Sequence, residues 1–230
     1  MKIYLVRHGK TMFNTIGRAQ GWSDTPLTDE GELGITELGL GFKARGVTFE
    51  RAYSSDSGRT IQTMGLILKH SENEEISYTF DKRIREWCFG SFDGGYDGDL
   101  FDGVLPVVFT RNGKGTDVWE QPLSEICQAI YDVDTAGWAE TWEELSGRIL
   151  EGFHAIAEEA EAAGAENIVI VSHGMTIGTF IHLLRPYEPR PRGLDNGCVS
   201  ELTYEKGVFH VETCGDMSYR ELGREKLALD

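Results

Sequence analysis

Apolar residues along this chain follow two alternating periodicities. The runs Ile3-Tyr4-Leu5-Val6 and Ile168-Val169-Ile170-Val171 are β-rich and unbroken, the pattern of strands covered on both faces of a parallel sheet. Arg51-Ala52-Tyr53-Ser54 predicts a third strand. Helical spacing lies between and after them. After Thr28, Ile35, Leu38 and Phe42 recur every three and four residues, and from about Ser57, Ile61, Met64 and Leu68 do the same. Thr141-Trp142-Glu143-Glu144 is a capping box. It opens a helix whose stripe of Trp142, Leu145, Ile149, Phe153 and Ile156 predicts a core-facing side.

Strands that alternate with helices predict an α/β fold, three layers deep, with a mostly parallel central sheet. Residues 199–204 and 208–212 alternate in polarity around Glu205-Lys206-Gly207 and predict a hairpin at the sheet edge. The span 88–140 is Gly- and Asp-rich at first and then weakly periodic. It is expected to be a cap inserted into a single domain covering residues 1–230. Asp93 to Asp99 lack the glutamate and glycine spacing of a calcium loop, which leaves a solvated turn as the expectation. Within the cap, Trp119, Tyr131 and Trp138 either line an apolar pocket or form the cap's own small core, the second being the expectation.

Charge narrows the function. With 22 Lys and Arg against 38 Asp and Glu, the chain carries a formal −16. That balance disfavours nucleic acid and anionic membranes as partners. It also repels an anionic substrate unless the site concentrates positive charge. The four cysteines, Cys88, Cys127, Cys198 and Cys214, have no ligand-like spacing and predict reduced thiols. No leader pattern is evident at the start, and no apolar run approaches the roughly 18 residues of a membrane span. A cytoplasmic protein is expected. The pattern is silent on oligomeric state.

Ligands of open α/β sheets bind at the carboxyl ends of the strands. The first strand delivers Arg7-His8-Gly9, the second leads to Arg59 at a helix start, and the third delivers Ser172-His173-Gly174. Two histidines and two arginines without a carboxylate pair favour an anion site over a transition-metal site. Imidazole can attack phosphorus, and arginine suits phosphate oxygens. Glu86, in Arg83-Ile84-Arg85-Glu86-Trp87, lies where the core gives way to the cap. Partly desolvated there, it is expected to carry a raised pKa and to protonate a leaving alcohol.

These residues sit in motifs. Arg7-His8-Gly9-Lys10-Thr11-Met12-Phe13-Asn14 resembles the R-H-G-x-[ST]-x-x-N opening of the histidine phosphatase superfamily, phosphoglycerate mutase-like branch. Pro26-Leu27-Thr28 through Gly31, Ser54 through Thr60, Glu86 with Phe89-Gly90, and Val171-Ser172-His173-Gly174 extend the resemblance in order. It implies a phosphohistidine mechanism with no metal and no cofactor, acting on a small phosphorylated substrate. His8 is implied as nucleophile, Arg7, Arg59 and His173 as the phosphate pocket, and Glu86 as acid and then base. Asn14, Gln20 and Thr11 are implied as polar contacts to the substrate. Trp22 follows Gln20 as either a loop contact or plain packing.

The chain departs from the family at Lys10, where Glu or Gln is usual; Lys10 is expected to face solvent. The paired arginines with which mutases grip substrate are missing from the cap, which is acidic at Asp93, Asp97, Asp99 and Asp102. That favours hydrolysis over mutase-type phosphotransfer, with a non-catalytic phospholigand-binding protein as a third possibility. Arg85, Arg111 and Lys114 are candidates for a second charge contact.

Overall fold

The computed structural model describes residues 1–229. Strand β1 (Lys2–Arg7) leads through a single turn, α1 (Met12–Ile16), to α2 (Asp29–Ala44). Then come β2 (Arg51–Ser54), α3 (Gly58–His70) and β3 (Ser77–Phe80). Two helices, α4 (Leu105–Arg111) and α5 (Leu123–Val133), precede α6 (Trp142–Ala162), β4 (Asn167–Ser172) and α7 (Gly174–Leu184). The chain closes with β5 (Val199–Glu205), β6 (Val208–Val211) and α8 (Ser218–Leu227).

The six strands form one mixed sheet in the order β3-β2-β4-β1-β5-β6. The first four are mutually parallel; β5 and β6 run antiparallel at one edge. Their link, Lys206-Gly207, has φ of 50° and 84°. Two successive positive φ values are the geometry of the hairpin turn that matches strand twist. The other edge, β3, is mostly exposed. Too short and too polar to announce itself, it is missing from the expected strands.

The buried runs serve two cores at once. Ile3, Leu5, Ile168 and Ile170 pack on the side of α6 and α7, together with Leu100, Leu105, Phe109 and Ile126 from the 88–140 span. Tyr4, Val6, Val169 and Val171 point the other way, toward Leu38 and Phe42 of α2 and Met64 of α3. Strict alternation between two apolar layers is why these strands show no polar positions. The α6 stripe is buried as expected from Leu145 onward, with Trp142 half-buried at its start, and Thr141 with Glu144 closes the capping box. In α3 the stripe is displaced: Ile61 is 37% exposed while Ile67 is fully buried. The inward face of α3 carries Arg59, Thr60 and Thr63 in its first turns, so polar residues occupy the positions the apolar count assigns to Ile61. Among the described residues no helix is long and apolar enough to cross a membrane.

Helix α8 docks on α2 at backbone distance. A Cβ on Gly41 would sit 1.8 Å from the Tyr219 carbonyl oxygen, and one on Gly223 would sit 1.6 Å from that of Glu37. Between them, buried Glu37 meets Arg220 at 3.2 Å and Arg224 at 2.8 Å. Helix propensity alone makes Gly→Ala stabilising by up to about 1 kcal/mol, and Gly147, with open space around it, obeys that rule. Gly223→Ala reverses the sign, because it pushes two backbones apart and costs about 1–3 kcal/mol. Denaturant unfolding of the two variants reads the contrast directly.

Candidate functional site

Pairing of β2, β4 and β1 brings three strand ends side by side. Arg7 pairs with Ser172, and Ser54 with Val171. The pairing continues one residue further: His8 N–H donates to the Ser172 carbonyl at 3.0 Å and Ser55 N–H to that of Val171 at 3.2 Å. His8, His173 and Ser55 are therefore neighbours, with the His8 and His173 ring centroids 5.3 Å apart.

The tautomer of each ring follows from what surrounds it. His8 Nδ1 lies 2.8 Å from the Gly9 carbonyl. A carbonyl only accepts, so Nδ1 carries the proton and Nε2 keeps its lone pair. A Cβ on Gly9 would stand 2.7 Å from the Ile35 side chain, so any larger residue there displaces the core beneath the loop. His173 Nδ1 accepts from Arg59 Nε at 3.2 Å and from Nη2 at 2.9 Å, so its Nε2–H donates to Ser55 Oγ at 2.7 Å. Burial, reinforced by the Arg59 charge, holds both imidazoles neutral with pKa values well below the ordinary histidine range.

Arg59 is fully buried, and all five of its N–H donors have protein acceptors. Besides His173, they reach the Ser23 carbonyl and Asp24 Oδ1, both at 2.9 Å, and the Gly21 carbonyl at 2.8 Å. The loop they grip is held from its other side by Asp93. That carboxylate accepts from Gly21 N–H at 2.8 Å, Ser23 N–H at 3.1 Å and Phe89 N–H at 3.1 Å. Asp93 is thus a loop clamp, not part of a solvated turn.

A cavity of about 370 Å³ opens over His8. Arg7, His8, Asn14, Gln20 and Glu86 line it. Arg59 and His173 do not; they form the layer behind His8, because their polar atoms are spent on each other and on the 20–24 loop. Thr11 is also behind the wall, fully buried, donating to Gln20 Oε1 at 2.6 Å and capping α1. Its expected contact with substrate is replaced by a hold on Gln20. Arg7 donates Nη1–H to the Leu194 carbonyl, while its buried Nε–H has no acceptor among the described residues. The guanidinium charge on the cavity wall suits an anion.

Glu86 does not sit in an apolar niche. It rests on the N-terminus of α7, where Oε1 accepts from Thr176 N–H at 2.9 Å, Thr176 Oγ1–H at 3.0 Å and Trp87 N–H at 3.0 Å, and Oε2 accepts from Met175 N–H at 3.0 Å. A helix N-terminus with orphan amides is the natural seat of a carboxylate. Arg148 of α6 fixes the preceding backbone, donating to the carbonyls of Arg83, Arg85 and Glu86.

The far wall of the cavity includes Phe89, Trp119, Leu123 and Met175, with Arg18, Arg190, Arg192 and Asp97. Trp119 is accordingly not cap core, and Tyr131 and Trp138 are exposed as well, Trp138 at 66%. The proposed second-charge residues lie elsewhere: Arg85 is bidentate to Asp56 at 2.6 Å, Lys114 pairs with Glu125 at 2.7 Å and Arg111 lines a separate surface groove. Lys10 turns to Glu30 at 2.7 Å, away from the cavity. Trp22 packs beneath Arg85 and donates its indole N–H to the Glu86 carbonyl at 3.0 Å. Among the described residues no group of three or more His, Cys, Asp or Glu could hold a metal ion.

Two buried neutral histidines have a cost at acid pH. Where a folded-state pKa lies below the unfolded value, the unfolded chain binds more protons, so stability is lost as pH falls below about 6.5. Each group contributes up to about 1.4 kcal/mol per pH unit in that window. Equilibrium unfolding between pH 7.5 and 5.5 is expected to show a shallower decline in His8→Ala than in the parent chain.

With the site described, its relatives can be named. Residues 3–99 and 116–217 match the histidine phosphatase superfamily, branch 1. A protein called probable phosphoglycerate mutase GpmB, from Salmonella choleraesuis, is 30% identical over 227 residues, covering 95% of this chain and 94% of that one. The crystal structure of a phosphoglycerate mutase from Bacillus anthracis superimposes with a TM-score of 0.90 at 37% identity, over 97% of this chain and 96% of that one. Bacillus stearothermophilus YhfR follows at TM-score 0.69 and 26% identity, over 95% and 98%. The family match spans most of the chain and both strand-end histidines, and the chain belongs to the histidine phosphatase superfamily, branch 1.

Proposed function

We propose that this chain is a metal-independent phosphomonoesterase that hydrolyses a small phosphorylated metabolite through a phosphohistidine at His8. The observation that carries the reading is one shared cavity. It is lined by His8, whose neutral imidazole keeps a lone pair on Nε2, by the Arg7 guanidinium and by the Glu86 carboxylate.

The phosphoryl group sits against the Arg7 guanidinium, with Asn14 and Gln20 at its flank. His8 Nε2 attacks phosphorus in line, the P–O ester bond breaks, and Glu86, which takes up a proton when the anionic phosphate is seated beside it, delivers that proton to the leaving oxygen. Nδ1–H stays on the Gly9 carbonyl throughout, which supports the ring as it becomes positive. Water then attacks the phosphohistidine, Glu86 takes its proton, the P–N bond breaks and inorganic phosphate leaves. Arg59, held by neutral His173, acts from below as a preorganised positive charge that needs no reorganisation during the reaction.

Asp97 favours hydrolysis over transfer. Its carboxylate is on the cavity wall near Arg7. Such a group repels the doubly phosphorylated intermediate a mutase must retain. The alternative, phosphoglycerate mutase-type transfer, draws support from the mutases named above and from Arg18 and Arg190 in the same cavity. A cytoplasmic setting accords with four unpaired cysteines, three of them buried.

His8→Ala is expected to abolish phosphate release from an aryl phosphate, with the parent activity insensitive to EDTA. Full activity in that variant overturns the mechanism. Glu86→Gln, which keeps shape but not acid–base chemistry, slows turnover about 10²–10⁴-fold. A panel of phosphorylated metabolites, together with an assay of 3- to 2-phosphoglycerate conversion primed with bisphosphate, separates hydrolysis from transfer; conversion faster than phosphate release would establish the mutase.

A further inference from the structure

The carbonyl of His8 has a partner that lies far outside the strand-end motif. Asn196, in the loop between α7 and β5, donates Nδ2–H to that oxygen at 3.0 Å and to Asn14 Oδ1 at 3.3 Å. Because the His8 carbonyl can only accept, it fixes which end of the Asn196 amide faces the loop. The same nitrogen then dictates the polarity of Asn14. Asn14 Oδ1 also accepts Thr11 N–H at 3.2 Å, so two donors agree on its placement. The Asn14 Nδ2, with no acceptor among the described residues, is the free end of a side chain that lines the cavity.

Asn196 is itself braced. Its carbonyl accepts from Arg220 Nη1 at 3.0 Å, and Arg220 is anchored on buried Glu37 through the close α2–α8 contact. The neighbouring backbone is tied to the strand end as well: Gly197 N–H donates to the Arg7 carbonyl at 3.0 Å, and Arg7 N–H to that of Cys198 at 3.2 Å. The segment that follows α7 therefore locks the nucleophile loop from outside the phosphate pocket.

We infer that Asn196 is a positioning residue for phosphoryl transfer: it holds the His8 backbone and sets the Asn14 amide so that its donor end, not its oxygen, faces the phosphoryl group. This rests on the phosphatase reading of the cavity. The electrostatic consequence is large for so small a change. A correctly turned amide gives a charge-assisted hydrogen bond to a phosphoryl oxygen, whereas a reversed one sets a carbonyl oxygen against it.

Asn196→Asp tests the assignment because it preserves shape and removes the donor. Its carboxylate faces two acceptors, the His8 carbonyl and Asn14 Oδ1, and the second contact is relieved if Asn14 turns over. The kcat/KM for an aryl phosphate should fall about 10- to 100-fold, and further than in Asn196→Ala, which deletes more atoms but imposes no repulsion. In an Asn14→Ala background Asn196→Asp should cost much less than it does alone. Calorimetric affinity for inorganic phosphate, which needs no turnover, should follow the same order.

Activity and phosphate affinity of Asn196→Asp within about twofold of the parent chain would overturn the inference, as would an undiminished loss in the Asn14→Ala background. If the parent chain binds phosphate but hydrolyses no ester, the phosphatase reading fails, while the order of phosphate affinities still decides the role of Asn196. If Asn196→Asp does not fold, the cycle of Asn196→Ala with Asn14→Ala makes the same comparison.

Discussion

A guanidinium sealed from water organises this site. Burying the Arg59 charge costs several kcal/mol unless its donors and its charge are met. Here they are met by His173, by three backbone carbonyls of the 20–24 loop and by Asp24 at 2.9 Å. The consequences run outward. His173 must present an unprotonated Nδ1, so it is neutral and its other nitrogen is committed to Ser55. The loop must present carbonyls inward, so its amides turn to Asp93. Gln20, at the head of that loop, is then held between Thr11 and Thr25 with its amide at the cavity wall. Desolvation keeps the arginine in this arrangement.

Placement of charge explains how a chain of net −16 receives an anion. Most acidic groups lie on the surface or are tied to arginines, as Glu37, Asp56 and Asp81 are. Of the cationic groups near His8, Arg59 is paired with Asp24, while Arg7 has no ion-pair partner among the described residues. Arg7 keeps a donor unpaired, and Arg59 acts across a layer of low dielectric where its field is weakly screened. The carboxylate of Glu86 is stabilised separately, by backbone amides at the start of α7 rather than by a cation. Nucleophile and acid–base group are thus held by different means and do not neutralise one another.

Much of this was legible in the sequence, for identifiable reasons. Strands buried on both faces leave unbroken apolar runs, so β1 and β4 are plain, and function gathers at their ends, so Arg7, His8 and His173 stand out. Arg59 could be read from the helix start that follows β2, whereas Glu86 required the motif context. The role of Thr11 was not legible, because a spacing says that a hydroxyl is needed but not which way it points. Asp93 hides in a stretch whose composition is that of a solvated turn; its five accepted hydrogen bonds exist only once the 20–24 loop is folded over it. The arginines of the far wall, Arg190 and Arg192, come from the segment after α7 and not from the cap, a placement that no local pattern announces. In α3, polar residues on the inward face displaced the apolar count, and Ile61 was assigned to the wrong side.

The central claim is that His8 Nε2, freed by the Gly9 carbonyl, forms a covalent bond to phosphorus. Rapid quench of the protein with a labelled phosphomonoester, followed by peptide mapping under alkaline conditions that preserve phosphohistidine, tests it most directly. The account predicts label on the peptide containing His8, appearing before free phosphate and accumulating when Glu86→Gln slows its hydrolysis. Phosphate release at full rate with no label on His8 at any time would contradict it.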